Sequence, residues 1–146
     1  MKRIITAVFI IAATAIGAFA GTPVTYDRLP ENARKFIARH ITQTNAVKIE
    51  KDMSDGRSVY DVEFADGTEI EFDAGGQWIK YEAPDGYAVP SGFIPEKISN
   101  YVLVNYPDRV VKEVERNADG YKVEVTGDVD LYFNNTGNCN RTHSHR

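Results

Sequence analysis

The chain contains one structural unit twice, and no other feature restricts its fold as much. Leu29-Pro30-Glu31 recurs as Ile94-Pro95-Glu96, and the stripe Phe36, Ile37, Ile41 recurs as Tyr101, Val102, Tyr106. Further on, Tyr60, Val62, Phe64, Ile70, Phe72 and Gly76 recur as Tyr121, Val123, Val125, Leu131, Phe133 and Gly137. The offset is 65 residues in the helical part and 61 in the rest, so one short deletion separates the copies. A unit this small is marginal alone, because small domains bury too little surface. The duplication therefore predicts two units that share one core or one continuous sheet.

The first twenty residues read as a leader rather than as part of that fold. Lys2 and Arg3 form a charged start, Ile4 to Ile16 is nearly all apolar, and Ala18-Phe19-Ala20 is a small-x-small cleavage site before Gly21. The apolar run is short for a membrane span. No Cys stands at the cleavage point, which argues against a lipoprotein anchor. The expectation is an exported protein, periplasmic or secreted, with no membrane attachment once the leader is gone. Loss of Lys2 and Arg3 takes the formal charge from −4 to −6. That balance speaks against nucleic acid, which favours basic stripes, and against anionic membrane surfaces. Cys139 is the one cysteine, so no intrachain disulfide is possible and the core must hold without one.

Each copy opens with a helix. Leu29, Ala33, Phe36, Ile37 and Ile41 follow the 3.6-residue period, with Glu31, Arg34, Lys35 and Arg39 on the other side. Ile94, Ile98, Tyr101, Val102 and Tyr106 repeat the pattern up to Pro107. Strands follow. Val47 and Ile49 alternate with Lys48 and Glu50; Tyr60, Val62 and Phe64 alternate with Asp61 and Glu63; Ile70 and Phe72 alternate with Glu69 and Glu71. Asp66-Gly67 closes a hairpin, and Gly75-Gly76 turns the chain into a last strand, 77–82. In the second copy the last strand is degraded: Gly137-Asn138-Cys139-Asn140 stands where the first has Gly76-Gln77-Trp78-Ile79. The predicted class is α+β, two tandem repeats of one helix plus about four antiparallel strands, with the helices packed on one face of the sheet. The predicted segments are a signal peptide at 1–20, a first repeat at 21–82, a linker at 83–92, a second repeat at 93–139 and a polar tail at 140–146, expected to fray over 142–146.

The helix opening Leu29-Pro30, the run Tyr60-x-Val62-x-Phe64, the stretch Ile70-x-Phe72-Asp73-x-x-Gly76-x-Trp78 and the joint Val89-Pro90-x-Gly92-x-Ile94-Pro95 resemble the PepSY-like exported proteins of Bacteroidetes. Their architecture is similar to that of β-lactamase inhibitory protein. The resemblance covers nearly all of residues 29–137 and departs at Cys139, where the first copy has Trp78. It implies a non-enzymatic protein that binds, inhibits or regulates an envelope protein or peptidase through the open face of its sheet.

Alternation also predicts which side chains stand on that open face. Asp61, Glu63, Glu69, Glu71 and Asp73 point away from the helices, joined in the second copy by Lys122, Glu124, Asp130 and Tyr132. If Ile79 and Tyr81 face the core, Trp78 and Lys80 face outward. The predicted binding set is Trp78, Lys80, Asp61, Glu63, Glu69, Glu71 and Tyr132, with a protein or peptide of the cell envelope as partner. A solvated acidic surface with no partner is the plainer alternative. A small ligand or envelope polymer stacked on Trp78 and Tyr132 is another. Exposed carboxylates in a row lack the separated pKa values of acid–base pairs, so no enzyme is expected. No phosphate-binding glycine loop or nucleophile set is present, and no cofactor is expected. Cys139, His143 and His145 have zinc-like ligand types and form a weak metal candidate at the tail.

Overall fold

The computed structural model describes residues 21–145, so the expected signal peptide lies outside the described residues. The protein is α+β. Among the described residues nine strands form one antiparallel sheet in which every strand pairs with the next along the chain. They are β1 (Thr22–Pro23), β2 (Ala46–Ser54), β3 (Arg57–Phe64), β4 (Glu69–Asp73), β5 (Trp78–Glu82), β6 (Val111–Asn117), β7 (Gly120–Val125), β8 (Val129–Asn134) and β9 (Cys139–Ser144). Helix α1 (Glu31–His40) precedes β2 and helix α2 (Glu96–Asn105) precedes β6.

Both helices start on a proline. The Pro30 carbonyl accepts from the Arg34 N–H at 3.1 Å, and the Pro95 carbonyl from the Ser99 N–H at 3.0 Å. The prolines need no donor there, and Glu31 and Glu96 meet the positive end of each helix dipole. Leu29, Ala33 and Ile37 join Val62, Phe64, Ile70 and Phe72 in one apolar cluster, which also takes in Ile98, Val102, Val114, Val123, Val125, Leu131 and Phe133. Each fully buried member contributes roughly 1.5–3 kcal/mol over exposure. Away from the register shifts the strand members alternate with residues that stand on the opposite, uncovered face.

The halves meet where β5 pairs β6, with Tyr81 opposite Val114. Residues 83–92 run beside this seam: the Ala83 N–H bonds to the Lys112 carbonyl and the Val89 N–H to the Val111 carbonyl, both at 2.8 Å. Phe93 closes the joint, its ring centroid 4.7 Å from Tyr81, 5.6 Å from Phe36 and 5.7 Å from Trp78.

Four register shifts correct the sequence reading. Between β4 and β5 the partners run Glu71 with Lys80 and then Phe72 with Trp78, so Ile79 is an extra residue. Such a bulge reverses the side-chain alternation past it. Trp78 therefore faces the helices with Phe72, and it packs on the core rather than on the open face. Ile79, expected in the core, lines a cleft on the open face instead. The same shift lies between Tyr132 and Phe133, opposite Arg141 and Cys139. In β2 and β6 the shifts lie between Ala46 and Lys48 and between Val111 and Glu113. Val47, expected inside, is the extra residue of β2 and is 62% exposed.

The polar tail is the other correction. Residues 139–144 form β9, which pairs along the whole of β8 from Phe133–Cys139 to Val129–Ser144. The His145 N–H adds a bond to the Asp128 carbonyl at 2.9 Å. Backbone pairing does not require apolar side chains, which is why a run with the composition of a loose end lies in the sheet.

Candidate binding face

The uncovered face is organised in rows that cross the sheet. One runs Glu50, Asp61, Glu71, Lys80, Glu115, Lys122, Tyr132, Arg141 through directly opposed partners in β2 to β9. The neighbouring row runs Lys48, Glu63, Glu69, Glu82, Glu113, Glu124, Asp130, His143. Six adjacent carboxylates, Glu63 to Asp130, thus cross six strands, a span of roughly 24 Å at the usual inter-strand spacing. Like charges directly opposed destabilise a sheet. Lysines that flank the row offset part of that cost: Lys80 reaches Glu113 at 3.3 Å, Lys112 reaches Glu124 at 3.6 Å and Lys122 reaches Asp130 at 3.5 Å.

Of the residues expected on this face, Asp61, Glu63, Glu69, Glu71, Lys80 and Tyr132 stand on it. Asp61 and Glu71 are directly opposed and hydrogen-bonded to each other. Partial burial, the Asp61 charge and this shared hydrogen bond raise Glu71 to about 7. Burial also raises Asp61, with Asp52 and Glu50 adding to the effect. Lys80 lies opposite Glu71, but its ammonium turns to Glu113. Burial works against the Lys80 charge, yet Glu113 outweighs it and keeps the lysine above its ordinary value.

Trp78 does not belong to this set. Its carbonyl accepts from Arg116 Nε at 3.0 Å and also from Arg116 Nη2, and the guanidinium carbon lies 4.2 Å from its ring centroid. Those contacts, with Phe93, hold the indole on the helix side. Tyr132 is on the open face but is no bare stacking platform, because the Arg141 guanidinium lies 4.0 Å over its ring.

The metal candidate does not assemble. The β8–β9 bulge turns Cys139 toward the helix side, where it packs on the core and its hydrogen bond with Tyr101 raises that phenol to about 12. His143 opposes Asp130 on the other face. His145 Nε2 lies 2.9 Å from Asp130 Oδ2 and its ring is 4.6 Å from that of His143. Among the described residues no group of three His, Cys, Asp or Glu is placed to hold a metal ion. Asp130 itself, expected on the surface, is buried to 3% exposure. Burial opposes its charge, but the His145 hydrogen bond and Lys122 outweigh that and lower its pKa.

Two depressions mark the face. One, of about 360 Å³, is lined by Asp61, Glu63, Glu69, Glu71, Lys80 and Glu82, among others. The larger, about 1010 Å³, lies toward the β2–β3, β4–β5 and β6–β7 turns, with Val59 and Ile79 among its lining. Val59 is 6% exposed although it lies outside the helix-side core. Glu71 lines both depressions. Simple alternation missed Ile79 because of the bulge. It gave no reason to single out Val59.

Fold and face together define a small α+β protein with one continuous antiparallel sheet and a charged, uncovered sheet surface. The chain belongs to the PepSY-like family: the family described as "Putative beta-lactamase-inhibitor-like, PepSY-like" matches residues 19–57 and 58–141. A Bacteroides vulgatus structure, described as a "putative periplasmic protein of unknown function", is 30% identical with a TM-score of 0.78, covering 87% of this chain and all (100%) of that one. A Bacteroides thetaiotaomicron structure, described as a "putative calcium-regulated periplasmic protein", is 28% identical with a TM-score of 0.77, covering 84% of this chain and 96% of that one. A further B. vulgatus structure, described as a "putative periplasmic protein", is 28% identical, with a TM-score of 0.76 and coverage of 84% and 96%. No curated protein matches the chain. The relatives place the chain in the periplasm. Among the described residues no helix is long and apolar enough to cross a membrane.

Proposed function

We propose that this protein is a non-enzymatic periplasmic binding module that holds a basic surface of an envelope protein against its open sheet face, restraining that partner. The observation that carries the reading is the unbroken row of carboxylates on the uncovered face, Glu63, Glu69, Glu82, Glu113 and Glu124, which ends at the buried Asp130. Opposed like charges lower stability, so a fold that keeps them gains when a cationic partner lies over them. The inhibitor-like family description supports the same class of function. The tandem repeats supply the width: the first unit brings five strands and the second four, and their union makes one face broad enough for a protein surface. On this reading the helices and their apolar cluster serve as scaffold.

Charge reversal tests the proposal. Glu63→Lys combined with Glu124→Lys should abolish capture of the partner from a periplasmic extract. Reversal on the outer side of α1, Lys35→Glu with Arg39→Glu, should leave capture intact. The opposite pattern would place the partner on the helices and end the reading.

A further inference from the structure

We infer that the paired clefts around Glu71 form a socket for one lysine or arginine side chain of the partner, with the cation between Asp61 and Glu71 and the aliphatic stem on Val59 and Ile79. This inference rests on the binding-face reading and adds the chemistry of its centre. The larger cleft offers apolar surface on a face that is otherwise charged, and it meets the acidic depression at Glu71. Val59 and Asp61 are same-face neighbours two residues apart on β3, roughly 7 Å along the strand. A long cationic side chain matches that layout, apolar along its stem and charged at its tip.

The charge at the socket is unbalanced. Asp61 on β3 and Glu115 on β6 act on Glu71, Glu50 and Asp52 on β2 act on Asp61, and Lys80 on β5 faces both carboxylates, while Lys48 is paired with Glu50 at 3.4 Å and Lys122 lies opposite Glu115. Lys80 is engaged with Glu113 at 3.3 Å. Arg116 is fixed on Trp78, and Arg57 stands at the hairpin tip. In the free protein a proton relieves the Asp61–Glu71 contact, and an incoming cation replaces it. Binding therefore releases a proton.

The test uses the mature protein and a blocked lysine-rich pentapeptide, with a glutamate-rich peptide as control. Calorimetry at pH 6 and pH 8, at equal ionic strength, reads the affinity. With Glu71 titrating at about 7, the lysine peptide should bind about tenfold more tightly at pH 8, and the glutamate peptide should not bind. Glu71→Gln removes a repulsive charge without changing shape, so it should fold normally by thermal melt yet lose both the affinity and its pH dependence. Glu31→Gln, on α1 and away from the sheet face, should keep both. Equal losses from the two variants, or no pH dependence, would show diffuse attraction and overturn the socket. Calcium ions that alone displace the Glu71 proton and exclude the peptide would overturn it in favour of a cation site. If Glu71→Gln leaves partner capture intact while Glu63→Lys with Glu124→Lys abolishes it, the face binds but the socket does not. If none of these changes capture, the binding-face reading itself fails.

Discussion

At the scale of single residues, Trp78 shows how one backbone irregularity changes a functional assignment. Counting by twos from Tyr81 sends Trp78 outward, but the bulge at Ile79 returns it to the helix side under Arg116. A signal for this was present. Trp78, Ile79 and Tyr81 are apolar at spacings that no regular strand produces, and the same three-residue step separates Ala46 from Ile49 and Val111 from Val114. Trp78→Ala should cost about 2–4 kcal/mol in denaturant unfolding, because it removes packing and a cation–π contact together. Iodide should quench Trp78 fluorescence weakly; strong quenching would put the indole in solvent. Asp130 makes the second case. Its lowered pKa means the folded state holds its charge, so that stabilisation is present above the ordinary carboxylate range and is lost as pH falls through the folded pKa. Asp130→Asn should cost about 1–3 kcal/mol at neutral pH and flatten the acid limb of the stability curve. Glu71 acts in the opposite sense: its folded pKa is raised, so stability declines as pH climbs from the unfolded carboxylate value to about 7. Glu71→Gln should remove that decline in thermal melts.

Among the elements, helices and paired strands were legible because period and turn chemistry agree with the final packing. Leu29, Ala33 and Ile37 lie where the 3.6-residue stripe puts them, in contact with the core. β9 was not legible. Its polar side chains carry no alternation, and the information that orders it is the register offered by β8. A chain ending at residue 137 should consequently lose a full strand's pairing and show a lower melting temperature, not a neutral trimming. The turns before β5 and β9 differ in their tolerance. Gly76 and Gly137 both have left-handed φ, +82° and +80°. A Cβ at Gly76 would lie 2.6 Å from the Ala33 backbone nitrogen at the start of α1, whereas at Gly137 it meets the flexible Lys97 side chain at 3.1 Å. Gly76→Ala should therefore cost more than Gly137→Ala, by about 1 kcal/mol or more, in paired denaturation experiments.

For the whole molecule, a continuous nine-stranded sheet turns two marginal units into one face with a row of carboxylates across its middle. The acidic character of that face could be read from alternation in β3 and β4. Its continuity could not, since the alignment of Glu82 with Glu113 depends on how the two halves dock. Nor could the proposed Glu71 socket, which needs the bulge that brings Ile79 into the cleft beside Val59. The central claim is that this face, and not the helix side, meets the partner. Site-specific photocrosslinking in the periplasm tests it most directly, with the probe placed in turn at Asp61 and Tyr132 on the sheet and at Arg39 and Leu103 on the helices. The account predicts one discrete crosslinked species from the two sheet positions and none from the helix positions. The same species arising from Arg39 or Leu103, with the sheet positions silent, would contradict it.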